Sequence, residues 1–383
     1  GGEYVYLREA YGGGPAFLFG WMRFTVASTG SIAILAVGFA TFLASVVPLD
    51  EVWASEDFEL LGQTIHWQFG SKQVVAIVAI LVFSAVNCLD VAFGGRVQSV
   101  LTALKVLGIA VIVGGVFFFA DGADWSHLAA PAGSGWGTIA GFGAAMVGAL
   151  WAFDGWNNLP MAAGEVKDAE RNVPRALIIG LIALTLIYCI TNLAYFYALP
   201  FAEVRTANST AYPVALPVAT KAAQTFLGEA GQELIAIALI LSALGALSGN
   251  ILTGARVPFA MARDGLFFSK VGTLNARTRV PVHAIALQAV WASVLAVSAA
   301  FDQLTDFVVF ASFIFYGLTT AALFVLRRKM PAAPRPYRTL GYPVVPLLFL
   351  AIVVWLLINT LMEKPVESIA GLVLIFLGLP LYF

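Results

Sequence analysis

Ten runs of this chain are apolar and long enough to cross a bilayer, and that feature leaves few folds open. They fall at roughly 15–47, 73–89, 98–120, 137–163, 175–199, 230–256, 282–300, 304–326, 344–362 and 366–383. A span needs about 20 apolar residues. Hydrocarbon offers the backbone no hydrogen-bond partner, so each run must satisfy its own peptide groups as a helix. The expected fold is an all-α membrane protein of ten transmembrane helices in one domain, 1–383. The first run exceeds the bilayer's needs and is expected to tilt strongly. Composition agrees: 60% of residues are hydrophobic and 11% charged, against about 25% charged in soluble chains. The net charge of −1 says nothing about nucleic acid, but there is no basic block or arm, so no nucleic-acid partner is expected. Cys88 and Cys189 lie in or beside apolar runs and read as buried small hydrophobes rather than a disulfide. The opening GGEYVYLREAYGGGP is polar and glycine-rich, unlike a signal peptide.

Charge placement orients the spans. With residues 1–14 inside, fifteen of the twenty-one Lys and Arg residues fall in inside loops. Lys72, Arg205, Lys221 and Lys364 fall outside, and Arg23 and Lys105 lie within spans. This bias predicts an inner (plasma) membrane protein with both ends cytoplasmic. The segment 48–71 is acidic and reads as an outside loop.

One span carries chemistry a simple helix would not. Residues 151–160 read WAFDGWNNLP. An aspartate at mid-membrane costs about 2.5–3.5 kcal/mol. Pro160 removes a backbone donor, and Gly155 permits backbone angles other residues avoid. Together they predict a helix that stops and restarts, which is tolerated only where the backbone lines a cavity or is buried in protein. The carbonyls of Trp151, Ala152 and Phe153 are then expected to face a substrate cation, such as an α-ammonium. The competing reading is a plain kink, or a helix end near the interface.

Lys105 is the second signal. Gln98, Thr102 and Lys105 share one helix face by spacing, so that face is expected to look into the bundle. A buried ammonium can replace a metal cation or carry a proton, whereas a lysine two turns from the helix end can also snorkel. Arg23, nearer its helix start, reads as snorkelling. Thr25, Ser28, Thr29 and Ser31 follow it as a polar stripe, fit for interhelical bonding or for lining a cavity. Ser242, Gly245, Gly249 and Thr253 read as a close-packing face; Ser312, Tyr316 and Thr319 stay ambiguous. His66, His127 and His283 lie in loops or at span ends, so no proton relay or metal spacing arises. No P-loop and no Ser/His/Asp set occurs, so no enzyme, cofactor or metal is expected. Asn208-Ser209-Thr210 is a glycosylation sequon of the kind that arises by chance.

Five motifs stand in order: GGEYVYLREAYGG, GGRVQSVLTALKV, WAFDGWNNLPMAAGEVKDAERNVPRA, GARVPFAMARDG and RRKMPAAPRPYRTLGYPVVP. In this combination the chain resembles the amino acid–polyamine–organocation superfamily, in its L-type amino acid transporter branch, nearly end to end. The resemblance implies an inverted-repeat fold of the LeuT kind, with two five-helix repeats and two further helices. It aligns this chain with helices three to twelve, so the first two, one of them the other broken helix, are expected to be absent from it. It implies that Trp151 gates the substrate, that Ala152, Phe153, Asp154 and Gly155 form the unwound segment, and that Asn157 and Ser31 face substrate. It places Lys105 where sodium-coupled relatives hold the ion, which implies sodium-independent transport. The implied activity is exchange of small or medium neutral L-amino acids by alternating access. Alternatives are a proton-coupled amino acid or polyamine symporter, and a sensor or scaffold that does not transport. Eukaryotic members pair with a glycoprotein heavy chain through a cysteine in the loop equivalent to 48–71. None occurs here, so no disulfide-linked heavy-chain partner is expected and the host reads as bacterial.

Overall fold

The computed structural model describes residues 2–44, 46–60, 63–89, 91–129, 139–161, 163–208, 212, 215–298 and 301–382. Helix α1 (Glu3–Tyr11) precedes the first span, which consists of α2 (Gly13–Met22), a π-helical turn at Arg23–Ala27 and α3 (Ser28–Leu43). Strands β1 (Val52–Leu60) and β2 (Gln63–Gly70) follow, then α4 (Ser71–Leu89) and α5 (Val91–Phe119). The broken segment comprises α6 (Ile139–Phe153) and the short α7 (Asn158–Met161). After it come α8 (Ala169–Ala198), α9 (Phe201–Arg205), α10 (Val218–Leu227), α11 (Glu229–Gly254) and α12 (Arg256–Arg263). The chain ends with α13 (Val282–Ser298), α14 (Phe301–Lys329), α15 (Val344–Glu363), α16 (Pro365–Phe376) and α17 (Leu379–Tyr382).

Among the described residues seven helices are long and apolar enough to cross a membrane. Three shorter apolar helices, Gly141–Phe153, Val282–Val297 and Ser368–Tyr382, fall on the remaining runs. Outward faces are as apolar as the core. Ile179, Ile182, Leu186 and Ile190 are exposed at helical spacing on α8, as are Val100, Leu104, Leu107 and Val111 on α5. In water such stripes would aggregate; against hydrocarbon they are the solvated surface.

α3 sits at the centre, against α4, α11, α13 and α14. Its small residues allow this closeness. A Cβ on Gly30 would fall 2.5 Å from Val308 of α14. Ala33, Ala36 and Ala40 are fully buried beside Ile251, Ala292 and Ala311.

The backbone adds two features the sequence did not show. The acidic segment 48–71 is not a plain loop: β1 and β2 pair antiparallel, from Val52 opposite Gly70 to Leu60 opposite Gln63. Trp67 Nε1 donates to the Val297 carbonyl at 2.7 Å, tying this hairpin to the end of α13. The first span carries a π turn, which adds a residue to one turn of helix. Its displaced carbonyls find partners. Thr29 Oγ1 donates to the Phe24 carbonyl at 2.6 Å, and Trp291 Nε1 donates to the Thr25 carbonyl at 2.8 Å. The cysteines are both free, but Cys189 is exposed on α8 rather than buried.

Polar ties gather one side of the molecule. Arg8 pairs with Asp264 at 2.6 Å, and Tyr4 donates to the same Oδ2 at 2.9 Å. Lys329 Nζ donates to the Ala10 carbonyl at 2.7 Å. The N-terminal helix, the end of α12 and the end of α14 therefore meet on one face.

Candidate functional site

The helix break falls where the sequence placed it. α6 ends at Phe153, residues Asp154–Asn157 form turns, and α7 restarts at Asn158. Gly155 has φ +104°, a conformation side chains rarely adopt, so glycine is required at that position. The Asp154 N–H bonds the Trp151 carbonyl at 2.9 Å and the Asn158 N–H bonds the Gly155 carbonyl at 3.1 Å, so the α register is lost between them.

The expected row of free carbonyls is reduced. Trp151's carbonyl accepts from Asp154, and Ala152's accepts from the Tyr188 hydroxyl at 2.6 Å. Phe153's carbonyl has no partner among the described residues, and its ring meets Tyr188 edge-on at 5.0 Å. The sequence could not show that α8 supplies a hydroxyl here. Trp151 is half-buried against Val147, Val309 and Leu356.

Asp154 is held, not free. Tyr316 of α14 donates to its Oδ1 at 2.9 Å, and Tyr316 itself packs against Trp156 and Phe313. Tyr316 thus resolves as a partner of the break, a role its spacing left ambiguous. A hydrogen bond to a carboxylate contributes about 1.5–3 kcal/mol. Tyr316→Phe should lower thermal stability by that order; an unchanged melting temperature would mean that Asp154 gains nothing from this hydroxyl.

A buried polar cluster lies beside the break, and sequence reasoning missed most of it. Asn157 is 1% exposed and both its amide atoms lack a hydrogen-bond partner. Glu3 of α1 is 4% exposed, with both carboxyl oxygens unbonded. Arg23, also 4% exposed, donates from Nη2 to Asn158 Oδ1 at 3.2 Å and to Met161 Sδ at 3.6 Å. Arg23 therefore does not snorkel. Its bonds to Asn158 and Met161 turn the guanidinium inward, toward α7. The Glu3 carboxyl is pushed up to about 7 by burial, with Arg23 and Asn157 opposing and Asp154 adding to the effect. The signal available for Glu3 was an acid on a short helix ahead of the first span, which by itself says nothing about burial.

Ser31 is buried on α3, as are Thr25, Ser28 and Thr29. Lys105 belongs to a different neighbourhood. It is half-buried against α11, where a Cβ on Gly245 would lie 3.3 Å from Lys105 Cε. Gln98 meets Gly249 in the same way, so the Gly245/Gly249 face is a close-packing face. Thr102, expected on the inward face, is instead exposed and donates back to the Gln98 carbonyl at 2.8 Å. Lys105 also lines a mainly apolar cavity of about 410 Å³ between α5, α8, α10 and α11. Among the described residues no group of three or more His, Cys, Asp or Glu could hold a metal.

A helical bundle with outward apolar stripes, a span broken around an aspartate and a buried polar cluster at the break defines a multi-pass membrane carrier. The chain belongs to the amino acid permease family, whose profile matches residues 1–379. It is 31% identical over 385 residues to the serine/threonine exchanger SteT of Bacillus subtilis, covering 100% of this chain and 81% of that protein. It is 29% identical over 392 residues to the human b(0,+)-type amino acid transporter 1, covering 100% and 74%. It is 28% identical over 393 residues to the mouse large neutral amino acids transporter small subunit 2, covering 100% and 68%. These relatives place it in the L-type branch of the amino acid–polyamine–organocation superfamily. It is an amino acid transporter and not an enzyme.

Proposed function

We propose that this chain forms a single polytopic domain that exchanges small or medium neutral L-amino acids, independently of sodium, by alternating access. The observation that carries the reading is the break at Asp154–Asn157, where the Phe153 carbonyl has no partner among the described residues and the Asn157 amide is buried. Such backbone and amide groups are suited to hold a zwitterion's polar end at a discontinuous helix. Tyr316 engages Asp154, which weakens its pull on a second positive charge and favours neutral substrates. The 31% identity to a serine/threonine exchanger supports exchange and a small side chain.

In this reading Trp151 closes over the substrate, and Ala152, Phe153, Asp154, Gly155, Asn157 and Ser31 surround it. Lys105 supplies a fixed positive charge in place of a sodium ion. Both ends lie in the cytoplasm and the protein sits in the plasma (inner) membrane. With no cysteine in 48–71, no disulfide joins it to a heavy chain.

The test is flux into sodium-free liposomes, following labelled neutral amino acids with and without unlabelled amino acids inside. Uptake confined to preloaded liposomes supports exchange. Trp151→Ala should lower that flux at least tenfold at unchanged expression; equal flux would remove the gate assignment. A second reading, proton-coupled symport, is favoured by the buried Glu3 carboxyl beside the break. Uptake into empty liposomes under an inward proton gradient would select it. Binding without flux in any condition would select a sensor.

A further inference from the structure

α14 ends in Arg327, Arg328 and Lys329, and the chain then turns through 330–343 before α15 begins. That turn encloses an open cavity of about 440 Å³, lined by Arg327, Pro331, Ala333, Arg335 and Arg338. Three guanidinium groups on one cavity repel one another unless an anion lies between them. The protein supplies none: among the described residues, no carboxylate pairs with any of the three.

The site is built before any ligand arrives. Arg335 is pinned by donating from Nη1 to the Pro331 and Ala333 carbonyls at 2.9 and 3.0 Å and from Nη2 to the Met330 carbonyl at 2.6 Å. Arg327 lies 3.5 Å over the Tyr342 ring, and its buried Nε has no partner. Arg338 makes no hydrogen bond or ion pair with the protein among the described residues. Planar guanidinium forks pair with the oxygens of a phosphate or carboxylate two bonds at a time, as a point-like ammonium does not.

The surroundings say which phosphate. Leu340, Val344, Val345, Leu347 and Leu348, which continue from this loop into α15, are 52–74% exposed. A free ion gains nothing from that apolar surface, whereas acyl chains do. The cavity also lies at the end of α14 that Lys329 ties to α1, the side rich in Lys and Arg. Basic pockets on that side of a membrane favour anionic headgroups.

We propose that Arg327, Arg335 and Arg338 bind the phosphate of an anionic phospholipid whose acyl chains lie along the exposed start of α15. The test uses the purified full chain in mild detergent, titrated with short-chain phosphatidylglycerol, phosphatidylcholine or inorganic phosphate and read by native mass spectrometry. Phosphatidylglycerol should bind at least tenfold more tightly than phosphatidylcholine. Arg338→Gln should weaken it at least threefold, and the double variant Arg327→Gln/Arg338→Gln at least tenfold. Arg338 is exposed and bonded to nothing, so the single variant retains the fold and decides the matter even where the double variant does not express. Equal phosphatidylglycerol binding by Arg338→Gln and wild type would overturn the proposal, as would no preference over phosphatidylcholine. Inorganic phosphate competing fully at equal concentration would also overturn it, by showing a small-anion site with no part for the acyl chains.

Discussion

Arg23→Met is expected to destabilise the protein by about 3–5 kcal/mol, the cost of removing one partner from a buried charged cluster. The side chain is 4% exposed and bridges the first span to α7 through Asn158 and Met161. Among the described residues it is the cation whose charge acts on the buried Glu3 carboxyl. Its loss leaves that carboxyl with Asn157 still opposing the effect of burial but with no opposing charge among the described residues. Methionine fills the volume but supplies neither donor nor charge. The cost is not local to residue 23. The double variant Glu3→Gln/Arg23→Met should recover part of it, because the orphaned acid is gone. Melting temperatures of the four members of that cycle measure the coupling. Strictly additive losses would show that Glu3 and Arg23 act independently.

The second large effect is on pH dependence. Burial raises the Glu3 carboxyl from 4.5 to about 7. Between those values the folded protein holds a proton that the unfolded chain has released, so stability is full below the unfolded value and falls as pH rises through the window. It levels off above the folded value. The span corresponds to about 3 kcal/mol at roughly 1.4 kcal/mol per pH unit. Wild type should therefore melt at a lower temperature at pH 8 than at pH 5, and Glu3→Gln should remove most of that slope and melt higher than wild type at pH 8. Matching slopes for the two proteins would mean that Glu3 reaches water.

What was legible in the sequence was whatever hydrocarbon makes expensive. Asp154, Gly155 and Pro160 together announced a helix break because each is costly inside a plain span, and the break sits at those residues. The apolar runs announced the helices for the same reason. What stayed hidden depends on partners distant in sequence. Arg23 looked free to snorkel because nothing local shows that Asn158 and Met161 of α7 hold its guanidinium. The carbonyls of the π turn accept from Thr29 and Trp291, and neither side chain marks itself as a π partner. The hairpin was obscured by Glu56, Asp57 and Glu59, whose charge suggested an outside loop, although Ile65, Trp67 and Phe69 alternate as a strand should. Tyr188 lies on a helix whose apolar character gave no hint that its hydroxyl would occupy the Ala152 carbonyl.

The π turn at Arg23–Ala27 gives the first span two independent phases. One extra residue in a turn rotates everything before it by about 100° relative to everything after it. The start of the π turn can therefore present Arg23 to α7 while α3 keeps its Gly30 edge seated on α14. The span is thus less a rod than a shaft with an offset coupling. Its two ends answer to different neighbours, and the fixed angle between them is set by a handful of side-chain hydrogen bonds rather than by the pitch of the helix.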